Sequence, residues 1–254
     1  MATTKKISRV RIIAFFALAG LMTAMTLLEM INHLIDDSVS PHHIHSAGHA
    51  IFSIAILAAL GTQLWHPARH VVGLQTLFVI MVVAAMADAA SLRFGGLEVI
   101  LLAFFAVLAP LHPARGKLLT ITVPRWQVLA LAAVGSVPLL VFSLAQAAMQ
   151  RVGFEAAHAD PGHWSWMAGA AILVAATAIF SAVAVRGWRI PTYTAAACLA
   201  ILGAASLAFA GEPSAFPVAW AFAAIVGSVA FVGVSEIDRT RAEPASVAPV
   251  LGSA

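Results

Sequence analysis

Hydrophobic residues along this chain come in long uninterrupted blocks, separated by short segments rich in proline, arginine and histidine. The blocks lack the alternation of a barrel strand, and most approach the length of about 20 residues that a helix needs to cross a bilayer. Because lipid offers backbone groups no hydrogen-bond partners, each block is predicted to be an α-helix. The eight predicted spans are Ile12–Leu34, Gly48–Trp65, Val71–Leu92, Leu97–Leu111, Trp126–Met149, Trp164–Val185, Thr192–Ala210 and Phe216–Val234.

The composition excludes a soluble globular protein. Of the 254 residues, 61% are hydrophobic and 10% are charged, whereas soluble domains carry roughly 25% charged residues. The mean hydropathy is +0.95. We therefore predict an all-α, polytopic membrane protein surrounded by the lipid bilayer. The single cysteine, Cys198, allows no intrachain disulfide and no cysteine-based metal site.

The basic residues predict the orientation of the spans. If the N-terminus is cytoplasmic, twelve of the fourteen lysines and arginines lie in cytoplasmic segments, and Arg93 and Arg151 lie outside. This imbalance is the positive-inside pattern, which favours an even number of spans and places both termini on the cytoplasmic side of the cell (inner) membrane. Because the same pattern explains the basic charge, no nucleic-acid partner is expected.

Two local matches predict a tandem duplication. Ala89–Gly96 aligns with Ala204–Gly211 at an offset of about 115 residues, and Gly48-His49 aligns with Gly162-His163 at an offset of 114. Both matches fall at equivalent topological positions, which favours a repeated four-helix unit of one orientation over coincidence in Ala/Gly-rich helices. The predicted organisation is a basic cytoplasmic N-terminus (1–11), a first membrane repeat (12–115), a cytoplasmic linker (116–125), a second membrane repeat (126–238) and a disordered cytoplasmic tail (239–254).

Histidine is concentrated on the predicted extracytoplasmic side, where seven of the ten histidines and eight of the eleven acidic residues lie. The bias in acids follows in part from the basic residues being inside, but the bias in histidines does not. The seven are His33, His42, His43, His45, His49, His158 and His163. Three of them, His42, His43 and His158, are predicted to be solvated loop residues.

Residue spacing then predicts a metal site. Glu29 and His33 are four residues apart at the outer end of the first span, and His45 and His49 repeat that spacing where the second span begins. Residues so spaced share one helix face, and two imidazoles one turn apart can chelate one ion. Placing an acidic side chain within a membrane span costs free energy, so such residues indicate a functional site. The predicted ligands are Glu29, His33, His45, His49, Asp88, Glu98 and His163.

Imidazole and carboxylate ligands suit zinc or copper, and the nearby Met22 and Met25 would favour copper. Binding or handling of such an ion is therefore the leading hypothesis, and haem held by a histidine pair is a less favoured alternative. A solute transporter or accessory membrane subunit with a pH-responsive polar network is also open, as is a metal-dependent membrane enzyme. Under these alternatives, the ligand would be a small solute, and the protein would assemble into a homo-oligomer or a membrane complex. No phosphate-binding, zinc-protease or serine-hydrolase motif is found, so an enzyme is not the first expectation.

Two further motifs have structural explanations. His-Pro-Ala-Arg closes the second and fourth spans, at His66–Arg69 and His112–Arg115. There the proline ends the helix, the arginine anchors it, and the histidine faces the negative end of the helix dipole. The segment His163-Trp164-Ser165-Trp166 either lines the predicted metal site or belongs to an aromatic belt at the membrane interface.

Overall fold

Each apolar block of the sequence forms an α-helix, because a helix satisfies its own backbone hydrogen bonds where water is excluded. The computed structural model describes residues 8–35, 43–93, 96–184 and 187–242. Its helices are α1 (Arg9–Ile35), α2 (His43–Trp65), α3 (Val71–Ala90), α4 (Gly96–Leu111), α5 (Trp126–Arg151), α6 (Ala156–Ala159), α7 (His163–Ser181), α8 (Arg189–Ala208) and α9 (Val218–Ala242), with a short 3-10 helix at Arg115–Lys117. These described residues contain no β-strand, so the predicted all-α class is confirmed.

Seven helices in the described residues are long and apolar enough to cross a membrane: α1, α2, α3, α5, α7, α8 and α9. Large apolar side chains are exposed on the outer helices, among them Leu28, Val134 and Val229. Such surface suits lipid better than water. By contrast, α4 has 16 residues, and its rise of about 24 Å falls short of a hydrocarbon core of roughly 30 Å. The helices therefore indicate a multi-pass membrane protein whose fourth predicted span is short.

The interior of the bundle is built from α2, α3 and α7, whose spanning residues are mostly buried, whereas those of α1, α5 and α9 are mostly exposed. α2 packs against α1, α3, α7 and α8, and α7 also packs against α3, α5 and α8. Small residues permit this close packing. A β-carbon on Gly169 of α7 would lie 2.8 Å from the ring of Phe52 on α2, closer than real side chains approach. The beginnings of α2 and α7 are thereby brought together.

The start of α2 differs from the sequence-based boundary. The helix begins at His43, five residues before the predicted start at Gly48. The backbone N–H of Ile44 donates a hydrogen bond of 3.0 Å to Oε2 of Glu212, which lies between α8 and α9. An acid at this position satisfies a helix N–H that has no partner within the helix, and it favours the positive end of the helix dipole. The sequence did not reveal this cap because it comes from 168 residues away.

The end of α9 also differs from the prediction. The helix continues through Ala242, four residues into the tail predicted to be disordered (239–254), and 243–254 lie outside the described residues. Near this end, Glu236 accepts two hydrogen bonds of 2.7 Å from the guanidinium group of Arg189 on α8. This bidentate contact holds the last turns of α9 against the start of α8.

The second His-Pro-Ala-Arg motif has a different role from the one predicted. His112 is fully buried, its Nδ1 accepts a hydrogen bond of 3.0 Å from the backbone N–H of Ala114, and its Nε2 lies 3.0 Å from Oε1 of Gln63. The ring is therefore neutral, with its proton on Nε2, which donates to Gln63. The side-chain N–H of Gln63 in turn donates to the carbonyl of His70, so His112 joins the ends of three helices. Burial lowers the pKa of His112 to about 4, so it does not face the helix dipole as a cation.

This pKa predicts how stability depends on pH. Between pH 6.5 and about pH 4, an unfolded His112 binds a proton that the folded state excludes. The stabilising contribution of the neutral ring is therefore complete above pH 6.5 and is lost as the pH falls towards 4. We expect His112→Gln to flatten the decline of the thermal unfolding midpoint over this range, measured by tryptophan fluorescence in detergent. His66→Gln is the matched control, because His66 occupies the same position in the other motif and is exposed. A His112→Gln protein with the wild-type pH dependence would contradict this assignment.

Candidate metal centre

Two successive helices bring polar turns together at one end of the bundle. Near its C-terminal end α1 carries Glu29 and His33, and near its start α2 carries His45 and His49. Because two helices joined by a short segment pack antiparallel, the end of α1 lies beside the beginning of α2. The helix that contains His45 and His49 has begun by His45, so both predicted i, i+4 pairs lie on helices.

Glu29, His33 and His49 form a three-residue group, the α1–α2 site. Each residue offers one ligand atom, and these atoms lie within 4.8 Å of one another. The rings of His33 and His49 are stacked with centroids 4.2 Å apart, and Nε2 of His33 lies 4.0 Å from Oε1 of Glu29. Donor atoms around a tetrahedral zinc ion are about 3.4 Å apart. Small rotations of these side chains would therefore close the site around an ion.

A small cavity lies directly against the α1–α2 site. It has a volume of about 30 Å³, and its lining includes Glu29 and His49 together with the hydroxyl-bearing Thr26 and Ser53. A space of this size holds one or two water molecules when polar groups line it. The inner side of the site thus has room for a water molecule beside an ion.

Three more histidines form a second group, the α2–α7 group, which consists of His45, His158 and His163. They are 0%, 3% and 2% exposed. The ring centroid of His45 lies 4.9 Å from that of His158 and 4.9 Å from that of His163, and the other two are 6.0 Å apart. The His49 and His163 rings are 6.3 Å apart and connect the two groups. Five imidazoles therefore lie in a continuous cluster, from His33 to His158.

Tryptophan side chains enclose this cluster. Trp166 packs on His49 with a centroid distance of 4.4 Å, and Trp164 packs on both His45 and His158 at 5.4 and 5.1 Å. Trp164 is 1% exposed, and its indole N–H donates to the carbonyl of Phe154 at 2.8 Å. Of the two explanations for the His163-Trp164-Ser165-Trp166 segment, lining the candidate site therefore describes it better than an interfacial belt.

Oxygen atoms orient two rings of the α2–α7 group. Ser214 donates its hydroxyl proton to Oε1 of Gln146 at 2.6 Å, so its oxygen is left to accept from Nε2 of His45 at 3.3 Å. The acceptor nitrogen of a neutral His45 is then Nδ1. In the same way, Oε2 of Glu155 lies 3.0 Å from Nδ1 of His158 and favours the tautomer whose acceptor nitrogen is Nε2.

The predicted ligands thus divide into different environments. Glu29, His33 and His49 meet in the α1–α2 site, and His45 and His163 belong to the α2–α7 group. Two predicted ligands remain, Asp88 and Glu98. Oδ1 of Asp88 accepts a hydrogen bond of 2.8 Å from the hydroxyl group of Ser165, and the side chain of Glu98 lies outside the described part of the chain.

The prediction that His158 is a solvated loop residue is wrong. It is buried because the loop after α5 forms a further short helix, α6 (Ala156–Ala159), that packs against α7. The side-chain amide of Gln150 donates to the carbonyl of Ala159 at 2.8 Å and helps to hold α6 in place. Four residues are too few for a periodic signal. His43 is exposed, as expected, and His42 lies outside the described residues.

Comparison with models of protein families, with curated proteins and with solved structures finds no match for this chain. Its function therefore has to be inferred from the geometry of the histidine cluster.

The turn that positions His163 can be tested separately. Gly162 precedes α7 with a φ of 87°, in the left-handed region, and a β-carbon there would overlap the guanidinium group of Arg93. Gly153 has a φ of 63° but nothing within 4 Å of the corresponding position. Backbone strain costs each alanine variant roughly 1–2 kcal/mol. At Gly162 the guanidinium group of Arg93, which is the far end of a flexible side chain, must also move aside, at a smaller cost.

We therefore expect both Gly162→Ala and Gly153→Ala to lower the free energy of unfolding in detergent by roughly 1–2 kcal/mol, with Gly162→Ala the more costly of the two. Chemical denaturation followed by tryptophan fluorescence measures both. A Gly162→Ala variant as stable as the wild type would contradict the left-handed turn that precedes α7.

Proposed function

We propose that this protein binds and handles a transition-metal ion, zinc in preference to copper, through Glu29, His33 and His49 at the extracytoplasmic face of the membrane. The observation that carries the proposal is the convergence of three ligand atoms, from two helices, to within 4.8 Å of one another. The most buried of the three, His49, is held between the His33 and Trp166 rings. A carboxylate and two imidazoles together in a membrane protein are costly unless they bind something or one another.

The donor set favours zinc. Two imidazoles and one carboxylate, with a fourth position for water, are a common ligand set for zinc sites that stay open. Copper(I) would favour thioether sulfur. However, Met22 is packed in the core and Met25 is half exposed, and neither lines the described cavity beside the site.

Geometry also favours an ion over haem. Axial histidines bind haem iron from opposite faces of the macrocycle. The His33 and His49 rings are instead stacked, with centroids 4.2 Å apart, which leaves no space for a macrocycle between them. The adjoining cavity of about 30 Å³ could hold water but not a porphyrin.

For the membrane arrangement, we propose eight spans with both termini in the cytoplasm and two repeated four-helix units. The distribution of basic residues supports the orientation. In the proposed repeat, α1, α2, α3 and α4 correspond to α5, α7, α8 and α9. Two pairs of contacts agree with this correspondence: the α2–α8 contact matches the α7–α3 contact, and the α1–α4 contact matches the α5–α9 contact. A two-fold axis along the membrane normal would produce such matching pairs of helix contacts. The paired residues His49 and His163 then face each other across that axis, 6.3 Å apart.

Metal analysis of the purified protein tests the proposed site. Glu29→Gln combined with His33→Asn removes two of the three ligands and leaves every member of the α2–α7 group in place. After stripping with a chelator and reloading with zinc, we expect this double variant to contain one equivalent less than the wild type, measured by elemental analysis. His43→Ala is the control, because His43 is an exposed histidine of α2 outside both groups, and its zinc content should be unchanged. Wild-type zinc content in the double variant would refute the site.

A further inference from the structure

The second half of the chain contains a large cavity that the proposed metal site does not use. It has a volume of about 700 Å³ and is lined by residues of α5, α7, α8 and α9. α5 packs along α7 and α9 packs along α8, whereas α5 and α9 contact each other less. The cavity is therefore a groove between α5 and α9, the α5–α9 groove. Its floor includes the buried Val174 and Ala175 of α7 and Ala195 of α8.

The length of this groove matches that of a lipid chain. Its walls extend on α5 from Leu131 to Phe142 and on α9 from Trp220 to Phe231. Each of these stretches rises about 17 Å along its helix. A single acyl chain extends over half of a hydrocarbon core of roughly 30 Å, which is about 15 Å. One extended chain would therefore fill the groove from end to end.

The two ends of the groove differ in polarity. At one end Phe231 packs with the fully buried Val128 and closes the groove inside the bundle. At the other end Phe216 lines the groove, and two residues earlier Ser214 donates a hydrogen bond of 2.6 Å to Gln146. Ser214 also contacts the histidine cluster. A polar group attached to a chain in the groove would therefore lie at the histidine end.

The lining requires an apolar ligand along the length of the groove. The hydroxyl groups of Ser136 and Ser228 point into their own helices, where they donate to the carbonyls of Ala132 at 2.6 Å and Ile225 at 2.7 Å. Among the described residues of the lining, the other polar side chain is Trp220, near the histidine end. A hydrocarbon chain asks for no hydrogen bond and fits such a surface.

The mouth of the groove is continuous with the surface that suits lipid. Val134, Val137 and Val141 line the groove and are also 72%, 59% and 64% exposed. A chain can therefore enter sideways from the bilayer. A helix as long as the groove occupies roughly 1,300 Å³, which exceeds the 700 Å³ of the cavity. A helix of a second copy could lie across the mouth, but a single hydrocarbon chain fits inside.

We propose that the α5–α9 groove binds one acyl chain of a membrane phospholipid, with the headgroup at the histidine end of the bundle. An unfilled apolar space loses the dispersion contacts of the atoms that line it. The chain restores those contacts, and the blind end at Phe231 receives its terminal methyl group. The groove shares no residue with the α1–α2 site. Lipid binding and metal binding can therefore succeed or fail independently.

Two glycines of α9 provide a matched test. A β-carbon on Gly227 or on Gly233 would meet no atom within 4 Å, but of the two only Gly227 lines the groove. Delipidated protein, in a detergent with a rigid steroid tail, is titrated with dipalmitoyl phosphatidylcholine and measured by native mass spectrometry. We expect the wild type and Gly233→Leu to saturate at one bound lipid. Gly227→Leu should bind it at least about tenfold more weakly, because the leucine side chain takes the place of several methylene groups.

The outcomes separate the lipid from other occupants. Equal affinity in Gly227→Leu and Gly233→Leu overturns the proposal, as does a wild type that binds no lipid or binds it without saturation. A dimer that forms without lipid and is lost in Gly227→Leu would show that the groove is an interface between two copies, and would overturn the proposal as well.

A variant on the opposite wall guards against misfolding of Gly227→Leu. Gly135 of α5 also lines the groove and has open space around its β-carbon position. Gly135→Leu should weaken lipid binding in the same way. Because a ligand that binds the folded state raises its stability, the lipid should raise the thermal unfolding midpoint of the wild type and of Gly233→Leu, but not of the two groove variants. A wild-type response to the lipid in Gly135→Leu would contradict the proposal.

Discussion

The absence of water inside a membrane is the constraint on which the rest of this structure depends. Backbone groups satisfy their hydrogen bonds within helices, and buried polar side chains have to interact with one another because no water is present. The described structure gathers histidines from α1, α2, α6 and α7 into one cluster instead of scattering them over separate helices. Around that cluster, Ser214, Gln146 and Glu155 supply oxygen atoms, and Trp164 and Trp166 supply ring faces. The need of buried polar side chains for polar neighbours therefore explains the grouping of the histidines as well as a specific function does.

The two ends of the bundle are held together by different interactions. At the end where α8 begins, Arg189 forms a bidentate ion pair with Glu236 of α9, and the Arg125 guanidinium group lies over the Trp188 ring at 4.7 Å. These charged residues lie near helix ends, where water and lipid headgroups are within reach. At the opposite end, imidazole rings pack on one another, on tryptophan rings and beside the carboxylates of Glu29 and Glu155. The two ends of the bundle therefore differ in the chemistry of the side chains that hold the helices together.

The histidine cluster also occupies a particular place in the helix packing. It lies where the start of α2 meets the start of α7, between the two halves of the chain. The close packing of Phe52 against Gly169 sets the separation of these helices, and therefore the distance between His49 and His163. A substitution that changes this packing would alter the cluster without replacing any of its members. Sites between two halves of a membrane protein are common for the same reason, since each half contributes part of the polar surface.

The sequence by itself determined the helices, because block length and the needs of the backbone in lipid are local properties. Seven of the predicted spans match helices long enough to cross a membrane, the fourth is a shorter helix, and the i, i+4 pairs of α1 and α2 lie on helices as predicted. Which histidines meet was decided only by tertiary structure. His45 and His49 share one helix face, yet they have different neighbours, because α2 packs between α1 and α7. His49 lies between His33 of α1 and Trp166 of α7, whereas His45 packs against histidines of α6 and α7. The burial of His158 and the Glu212 cap on α2 depend likewise on contacts between segments far apart in the chain. Helical periodicity reports the direction of a side chain around its own axis, but the neighbour in that direction is set by the packing of the whole bundle.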